Sequence, residues 1–253
     1  MAQIYRKDND LRKQYQKNIE NVPKNIISGI FVSVAFLIIL LMGEFIGFTD
    51  LENPLYLLAT PFPILIGITA SIRNNQQNLN LQKKIEDQEN FIRIIEKLPD
   101  GYSGFLNVDI ATGHKPIRID MIIVGPTGVF AILVRNHGGN IIGNAENNEW
   151  KQKNTDSSGK TKVEKVANPL ILGEHYAELF KSVLNKNGVS ADVNAIIYYS
   201  NPNAILHIKG EGNGVPVFSR FRHEEADMNS YITDREDTLT GDKIFKICDL
   251  LRG

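Results

Sequence analysis

Three charged side chains are set in two strongly apolar stretches of the sequence. Arg118 and Asp120 lie in the first stretch, and Arg135 ends the second. The segment between them, Gly125-Pro126-Thr127-Gly128, is typical of a β-turn, so the two stretches are predicted to form a β-hairpin. An even-numbered loop places Arg118 opposite Arg135 and Asp120 opposite Leu133, with the three charges on one face. Two facing guanidinium groups and one carboxylate favour an anion such as phosphate over a metal cation.

Trp150 is followed by lysines at positions 151, 153, 160 and 162. An aromatic ring among lysines can stack on and hold a nucleic-acid strand. The alternatives are a core tryptophan beside a solvated loop, which the polar, Gly-containing run 151–162 favours, and contact of the lysines with anionic lipid. All three interpretations stay open at this stage.

His175 falls on a predicted helix, where it either contacts a ligand or packs and caps as an ordinary helical histidine. The five histidines of the chain have no spacing known for metal ligation, so no zinc site is predicted. The run Gly210-Glu211-Gly212-Asn213-Gly214 precedes a predicted strand rather than a helix, which favours a turn over a phosphate-binding loop.

The elements that must position these residues alternate in type along the second half of the chain. Helical periodicity and strand-like runs predict an α/β domain over residues 99–253 in the order helix, three strands, helix, strand. The predicted strands are 105–110, 117–124, 129–135, 193–199 and 215–218, and the predicted helices are 170–185 and 242–251.

Two uncharged stretches precede this domain. Residues 25–43 and 53–72 carry no charged side chain, and each is long enough to cross about 30 Å of hydrocarbon. We therefore predict a transmembrane helical hairpin over residues 25–72, with Pro61 and Pro63 disturbing its second helix. A pair of buried core helices is the alternative; a cleaved signal peptide is disfavoured because the apolar stretch lies too far from Met1.

Lysine and arginine counts set the predicted orientation. Residues 1–25 carry six and residues 73–97 carry five, whereas the link 44–52 between the apolar stretches carries none. The positive-inside rule then predicts a multi-pass protein of the cell membrane with both termini cytoplasmic, including a basic N-terminal segment over residues 1–24. A polar helix over residues 73–98 is predicted to connect the hairpin to the domain, packing on it with its last turns or pairing with a second copy as a homodimer.

The totals are those of an ordinary globular chain. The 253 residues are 42% hydrophobic and 23% charged, with a formal net charge of −1. These values exclude a disordered chain and disfavour a globally basic nucleic-acid binder. The single cysteine, Cys248, excludes an internal disulfide framework.

The order of several short motifs resembles the nuclease-related domain family known as NERD over about residues 89–199. The motifs are Ile119-Asp120 before an apolar run, Gly125-Pro126-Thr127-Gly128-Val129-Phe130, Gly138-Gly139-Asn140-Ile141, Trp150, Asn168-Pro169 and His175. The resemblance implies a restriction-endonuclease-like mixed sheet flanked by helices. It also implies a magnesium site built from an acid on one strand and Glu-x-Lys on the next.

Asp120 fits the metal-binding acid of that family, but the Glu-x-Lys positions fall on Leu133-Val134-Arg135. The Glu that usually precedes Ile-Asp falls on Arg118. Leucine cannot ligate a metal, and arginine keeps the positive charge without serving as a base. We therefore expect no resident cofactor and a degenerate nuclease fold that binds DNA, RNA or another phosphate ligand, with Arg118, Arg135, Trp150 and His175 as candidate contacts.

Two alternatives follow from the same residues. An active Mg²⁺-dependent nuclease would use Asp120 as catalytic acid with Arg135 beside it, and it would draw further carboxylates from Glu89, Glu96 or Asp109. A membrane-tethered adaptor would contact only proteins, beyond the lipid bilayer that holds it.

Overall fold

The computed structural model of the chain describes residues 1–6, 10–46, 62–111, 116–155, 158–210 and 214–252. The chain divides into two compact units. One consists of Met1–Asp8 together with Glu89–Gly253, and the other is Asn9–Gln88. The two units are described separately below.

The unit Asn9–Gln88 is helical in its described residues. Helix α1 spans Asp10–Ile46, so residues 10–24 of the basic N-terminal segment predicted over residues 1–24 belong to this helix. Its Leu11–Ile39 stretch has a mean hydropathy of 2.0 in its most apolar window, so it is long and apolar enough to cross a membrane. That window is 6% buried. It is the one such helix in the part of the chain that the structure describes.

Helix α2 spans Phe62–Ile95 and carries the end of the second apolar stretch; residues 53–61 of that stretch lie outside the described residues. Gly67 of α2 lies against the α1 backbone, since a Cβ on it would sit 2.7 Å from the carbonyl oxygen of Asn25. The Ser71 hydroxyl lies within hydrogen-bond distance of the carbonyl oxygens of Val22 (3.2 Å) and Gly67 (2.8 Å). Small residues allow this close helix approach, as is common in membrane helix pairs.

The other unit is built on two sheets. In the described residues, six strands form the first sheet in the order β1-β2-β3-β4-β8-β10, and four form the second in the order β7-β6-β5-β9. The strands of the first sheet are β1 Gln3–Arg6, β2 Ser103–Ile110, β3 Ile117–Gly125, β4 Gly128–Arg135, β8 Val193–Tyr199 and β10 Val217–Ser219. Those of the second are β5 Gly139–Asn144, β6 Glu149–Thr155, β7 Thr161–Ala167 and β9 Ala204–Lys209.

Helices cover both faces of the first sheet. Helix α3, Pro169–Lys186, and helix α5, Gly241–Arg252, pack on one face through a cluster that includes Phe180, Leu184 and Ile247. The last turns of α2 and helix α4, Glu225–Thr233, pack on the other face through a cluster that includes Ile95 and Met228. The apolar runs of β3 and β4 are thus buried on both sides, which explains why they show little alternation. The architecture is the mixed, helix-flanked α/β fold that the sequence predicted.

The strongest sequence signals and the observed elements agree closely, whereas the polar strands were missed. Within the stretch 151–162, which was predicted as a loop, residues 151–155 belong instead to β6 and residues 161–162 to β7. The two strands pair with the register Lys151↔Lys165 and Lys153↔Val163. That prediction was wrong because β6 and β7 are mostly polar and exposed, so they lack the apolar content by which strands are recognised. Strand β1 was missed for a different reason: its partner, β2, lies about a hundred residues further along the chain.

Candidate functional site

The β3–β4 hairpin has the register that the sequence predicted. Gly125 pairs with Gly128 and Met121 with Ile132, which confirms the even-numbered loop. The turn is held from several sides, since Thr127 lies 2.9 Å from the Tyr102 hydroxyl and donates to the carbonyl of Ile232 at 2.6 Å. Gly125 is required at its position because a Cβ there would sit 2.2 Å from the Tyr102 ring.

The alternation of side chains between the two faces of the sheet is interrupted in β3 near Asp120. Ile119 packs with Ile122 on the α3 side, whereas Met121 packs on the α2 side. In a regular strand Ile119 and Met121 would share a face. The strand opposite has its own irregularity at this level, because Asn107 of β2, which the register places across from Asp120, has a positive φ of 52°. Such local distortions re-aim a side chain, and here they turn the Asp120 carboxylate toward β4.

The Asp120 carboxylate replaces a backbone acceptor of β3. Its Oδ2 accepts a hydrogen bond from the backbone N–H of Val134 at 2.8 Å and lies 3.6 Å from Nη1 of Arg135. The side chain is 37% exposed. Desolvation raises the pKa of Asp120 above its usual value, while the Val134 amide and the charges of Arg135 and Arg118 act in the opposite direction.

Arg118 is engaged on the other side of β3, away from β4. Its guanidinium forms a bidentate pair with Asp109, directly across the β2–β3 ladder, with distances of 2.8 and 2.9 Å. The facing pair of Arg118 and Arg135 that the sequence predicted is therefore not formed. A cross-strand carboxylate was available to Arg118, and hydrogen-bonded opposite charges are favoured over facing like charges.

Arg135 lies at the end of β4 among polar groups of several elements. It pairs in register with Tyr199 of β8, and its carbonyl accepts from the amide of Ser200 at 2.9 Å. Burial raises the pKa of Tyr199 to about 12, against the effect of the Arg135 charge. Burial, and after it the Arg135 charge, lowers the pKa of nearby His137, while Glu164 opposes the shift.

The Ser200 hydroxyl is buried and has no hydrogen-bond partner in the part of the chain that the structure describes. Arg135 itself is 21% exposed, so its guanidinium can be reached from solvent. The region around residue 135 therefore combines an accessible cation with an unused buried donor. Neither His137, Tyr199 nor Ser200 was singled out from the sequence, because β8 meets β4 only in the folded chain.

A magnesium ion does not fit this site. The position that should supply the second carboxylate is Leu133, which is 1% exposed and packs in a core cluster with Ile141 and Trp150. Of the substitute acids, Asp109 is paired with Arg118 and Glu89 holds Arg6 in a bidentate pair at 2.8 and 3.1 Å. No group of three or more His, Cys, Asp or Glu side chains is placed to hold a metal among the residues that the structure describes.

Two further candidate ligand contacts lie elsewhere. Trp150 is 1% exposed, and its indole N–H donates to the carbonyl of Asn144 at 2.9 Å, so a base cannot stack on it in this structure. Gly143 makes room for that ring, since a Cβ there would be 2.2 Å away. His175 is exposed on α3, with its ring 6.2 Å from that of the neighbouring Tyr176. The structure thus brings only Asp120 and Arg135 together, with Arg118 acting on Asp120 through its charge.

Motif residues outside the hairpin fix the backbone conformation of turns and of a helix start. Gly139 has a φ of 78°, and a Cβ on it would sit 2.4 Å from the carbonyl oxygen of Lys153. Asn168 caps α3 by accepting from the amide of Leu170 at 2.9 Å, and its own amide donates to the carbonyls of Ala145 and Asn147 at 2.8 Å. Pro169 follows in the first turn of the helix, where a missing N–H costs nothing.

The helix-flanked mixed sheet, with an acid turned toward the neighbouring strand, defines a restriction-endonuclease-like α/β domain. Residues 83–200, just under half of the chain, match the family model NERD, nuclease-related domain. This part of the chain is therefore similar to the nuclease-related domain, as the motif order indicated. No curated protein and no solved structure gives a significant match to the chain.

Proposed function

We propose that the nuclease-related domain of this chain binds a phosphate-bearing ligand, a nucleic acid or nucleotide, at Arg135 without cleaving it. The observation that carries the proposal is the pair of replacements on β4. A buried leucine stands at the position of the second metal-binding carboxylate, and an arginine stands at the position of the lysine. A site that has lost its cation ligands but kept its positive charge is suited to hold an anion.

The surroundings of Arg135 support anion binding. Asp120 shares its charge between Arg135 and the Val134 amide, so the guanidinium is only partly neutralised at 3.6 Å. Ser200, whose backbone amide donates to the Arg135 carbonyl, has a buried side-chain hydroxyl without a hydrogen-bond partner among the described residues. A phosphate oxygen can accept hydrogen bonds from this hydroxyl and from the Arg135 guanidinium. Because Leu133 offers no ligand to a metal ion that would activate water, the proposed binding is without hydrolysis.

We further propose that the domain is held at the cell membrane by a two-helix anchor with both chain ends in the cytoplasm. The support is topological. Strand β1 precedes α1 and pairs with β2, which follows α2, so both strands must lie on one side of any membrane. If α1 crosses the bilayer, the chain must cross it an even number of times between residues 6 and 103, and the second apolar stretch supplies the return.

The ligand proposal is tested with the full chain in detergent or nanodiscs and labelled DNA and RNA oligonucleotides, with Mg²⁺ or with EDTA. We expect salt-sensitive binding without cleavage, weakened at least about tenfold by Arg135→Ala, whereas Arg135→Lys binds with intermediate affinity. Loss of one phosphate contact makes the negative slope of log K against log salt less steep by about 0.7 to 0.9. Arg93→Ala, at an exposed position of α2, is the matched control.

Each outcome of this experiment decides between the candidate functions. Metal-dependent cleavage that Asp120→Asn abolishes would establish an active nuclease and overturn the proposal. Equal binding by Arg135→Ala and Arg93→Ala would place the ligand elsewhere. Failure to bind any oligonucleotide or nucleoside triphosphate would favour a protein adaptor.

The anchor is tested by labelling introduced cysteines with a membrane-impermeant maleimide in intact cells. The native Cys248 is buried and gives little background. We expect Thr49→Cys to react from outside and Lys246→Cys to react only after the membrane is opened. Labelling of both positions from outside, or of neither, would reject the hairpin.

A further inference from the structure

The second sheet has one buried and one exposed face. Ile141, Trp150, Ala204 and Leu206 are buried on the first face. The registers of β5, β6, β7 and β9 place a different set together on the other face. We call this the outer face; it comprises Asn140, Ile142, Asn144, Glu149, Lys151, Lys153, Thr155, Thr161, Val163, Lys165, Ile205, His207 and Lys209.

The outer face is strongly cationic although the whole chain is almost neutral. Within its four strands it carries four lysines and one acid, Glu149, which forms an ion pair with Lys165 at 2.7 Å. Lys151 lies directly opposite Lys165 in the β6–β7 register. Like charges in facing positions destabilise a sheet, so the fold gains nothing from this arrangement in isolation. Charge of this sign at this density is complementary to an anionic partner.

The outer face also exposes branched apolar side chains among its lysines. Val163 is 53% exposed and Ile205 is 37% exposed. A nucleic-acid platform typically offers Phe, Tyr or Trp rings for stacking or arginine forks for phosphate, and among the described residues the outer face has neither. Lysine ammonium groups that surround aliphatic side chains match the surface of an anionic bilayer, where headgroups attract the charges and the interface accepts the apolar groups.

We propose that the outer face docks on the surface of a membrane that contains anionic lipid. The contact is distinct from the ligand site at Arg135, and it rests on the proposed anchor, which holds the domain within reach of the bilayer. Each lysine near an anionic surface contributes about a fivefold increase in the ratio of docked to undocked domain. Simultaneous reversal of Lys151 and Lys153 therefore lowers that ratio by at least about 25-fold.

The experiment uses the full chain reconstituted in vesicles of phosphatidylcholine, with or without phosphatidylserine. Because Cys248 is buried, Val163→Cys carries an environment-sensitive fluorophore at one exposed position. We expect a blue-shifted, brighter emission that lipid-borne quenchers reduce in the anionic vesicles but not in the neutral ones. The response is lost in about 1 M salt, where the Debye length is about 3 Å.

Two double charge reversals separate the effect of the outer face from the effect of the net charge. Lys151→Glu with Lys153→Glu abolishes the response, whereas Lys186→Glu with Lys246→Glu, at exposed positions of α3 and α5, changes the net charge equally and retains it. A fluorophore at Phe245→Cys, which is 65% exposed on α5, stays in water throughout.

Flotation of the chain with neutral vesicles reports on the anchor separately from the outer face. A chain that floats with neutral vesicles but shows no lipid-dependent response at position 163 has the anchor and lacks the docking contact. A response to added oligonucleotide instead of anionic lipid would make the outer face a nucleic-acid site and overturn the proposal. Failure to float with either vesicle would reject the anchor itself.

Discussion

The carboxylate of Asp120 and the backbone amide of Val134 are joined by a hydrogen bond of 2.8 Å. A side chain of one strand thus takes the place that a main-chain carbonyl of that strand would hold in an unbroken ladder. In the described residues the β3–β4 register runs from Gly125↔Gly128 to Met121↔Ile132 and stops one position short of Asp120. Asp120, which the resemblance suggested as a metal-binding acid, is thus hydrogen-bonded to the neighbouring strand.

Replacing Asp120 tests this structural role. Asp120→Ala removes the acceptor, so we expect faster hydrogen exchange of the Val134 amide and a loss of about 1–2 kcal/mol in the free energy of unfolding of the domain. Asp120→Asn keeps a carbonyl acceptor and retains most of the protection. Exchange rates resolved by mass spectrometry after proteolysis provide the measurement. Equal protection of Val134 in wild type and Asp120→Ala would show that the hydrogen bond is dispensable.

The protonation of Asp120 is expected to couple to the stability of the domain. Desolvation raises its pKa in the folded chain above the ordinary value of 3.8. The carboxyl group therefore binds its proton more tightly in the folded state than in the unfolded state. This difference stabilises the folded domain below pH 3.8, and the stabilisation is lost as the pH rises through the folded-state pKa. Arg135 opposes the shift, so Arg135→Met raises the pKa of Asp120 further, whereas Arg135→Lys leaves it close to that of the wild type.

A carbon-detected NMR titration of aspartate-labelled protein measures this pKa, with Asp120→Asn identifying the resonance. A value in Arg135→Met at or below that of the wild type would mean that Arg135 does not act on the carboxylate. The comparison with Arg135→Lys separates the charge of residue 135 from its shape.

Asn168 is expected to stabilise the domain through its cap and its two donated hydrogen bonds. Asn168→Ala loses all three contacts, which we expect to cost about 2–4 kcal/mol in the free energy of unfolding. Asn168→Ser retains the cap and loses roughly half as much. The fluorescence of Trp150, the one tryptophan of the chain, follows unfolding of this unit in urea. Identical urea midpoints for Asn168→Ala and Asn168→Ser would show that the helix cap does not contribute to stability.

Tyr5 is expected to stabilise the same unit from the N-terminal end. Its ring stacks on Phe105 with centroids 4.9 Å apart, and the Arg252 guanidinium lies 4.6 Å from the ring centroid. Tyr5→Ala loses both contacts, and we expect it to lower the free energy of unfolding by about 1–3 kcal/mol. Tyr5→Phe keeps both ring contacts and loses only the hydroxyl, which donates to Gln3 and accepts from Arg252.

Urea unfolding monitored by Trp150 also measures this effect, since Trp150 lies in the unit that strand β1 joins. A wild-type midpoint for Tyr5→Ala would show that β1 contributes nothing to the sheet. If Tyr5→Phe is as unstable as Tyr5→Ala, the hydroxyl and not the ring of Tyr5 stabilises the unit.

The sequence was informative where a local rule acts and uninformative where distant segments meet. The register of β3 and β4 followed from their turn, and the structure places Leu133, where the resemblance implied a carboxylate, in a core cluster. The partners of Arg118 and Arg135 could not be foreseen, because Asp109 and Tyr199 reach them across other strand pairs. Two of the motif residues that carry the family resemblance, Gly139 and Asn168, contact the backbone of neighbouring segments, which is why the motif order predicted the fold.

The pairing of β1 with β2 means that the helical unit is an insertion in a discontinuous domain. The chain leaves this unit after Asp8 and returns to it at Glu89, whose carboxylate pairs with the Arg6 guanidinium at 2.8 Å. Truncation before Glu89 would remove the helices and an edge strand together, exposing the backbone of β2 to aggregation. A soluble form should instead join the segment of β1 to residue 89 through a short flexible linker, because the side chains of Arg6 and Glu89 already form an ion pair.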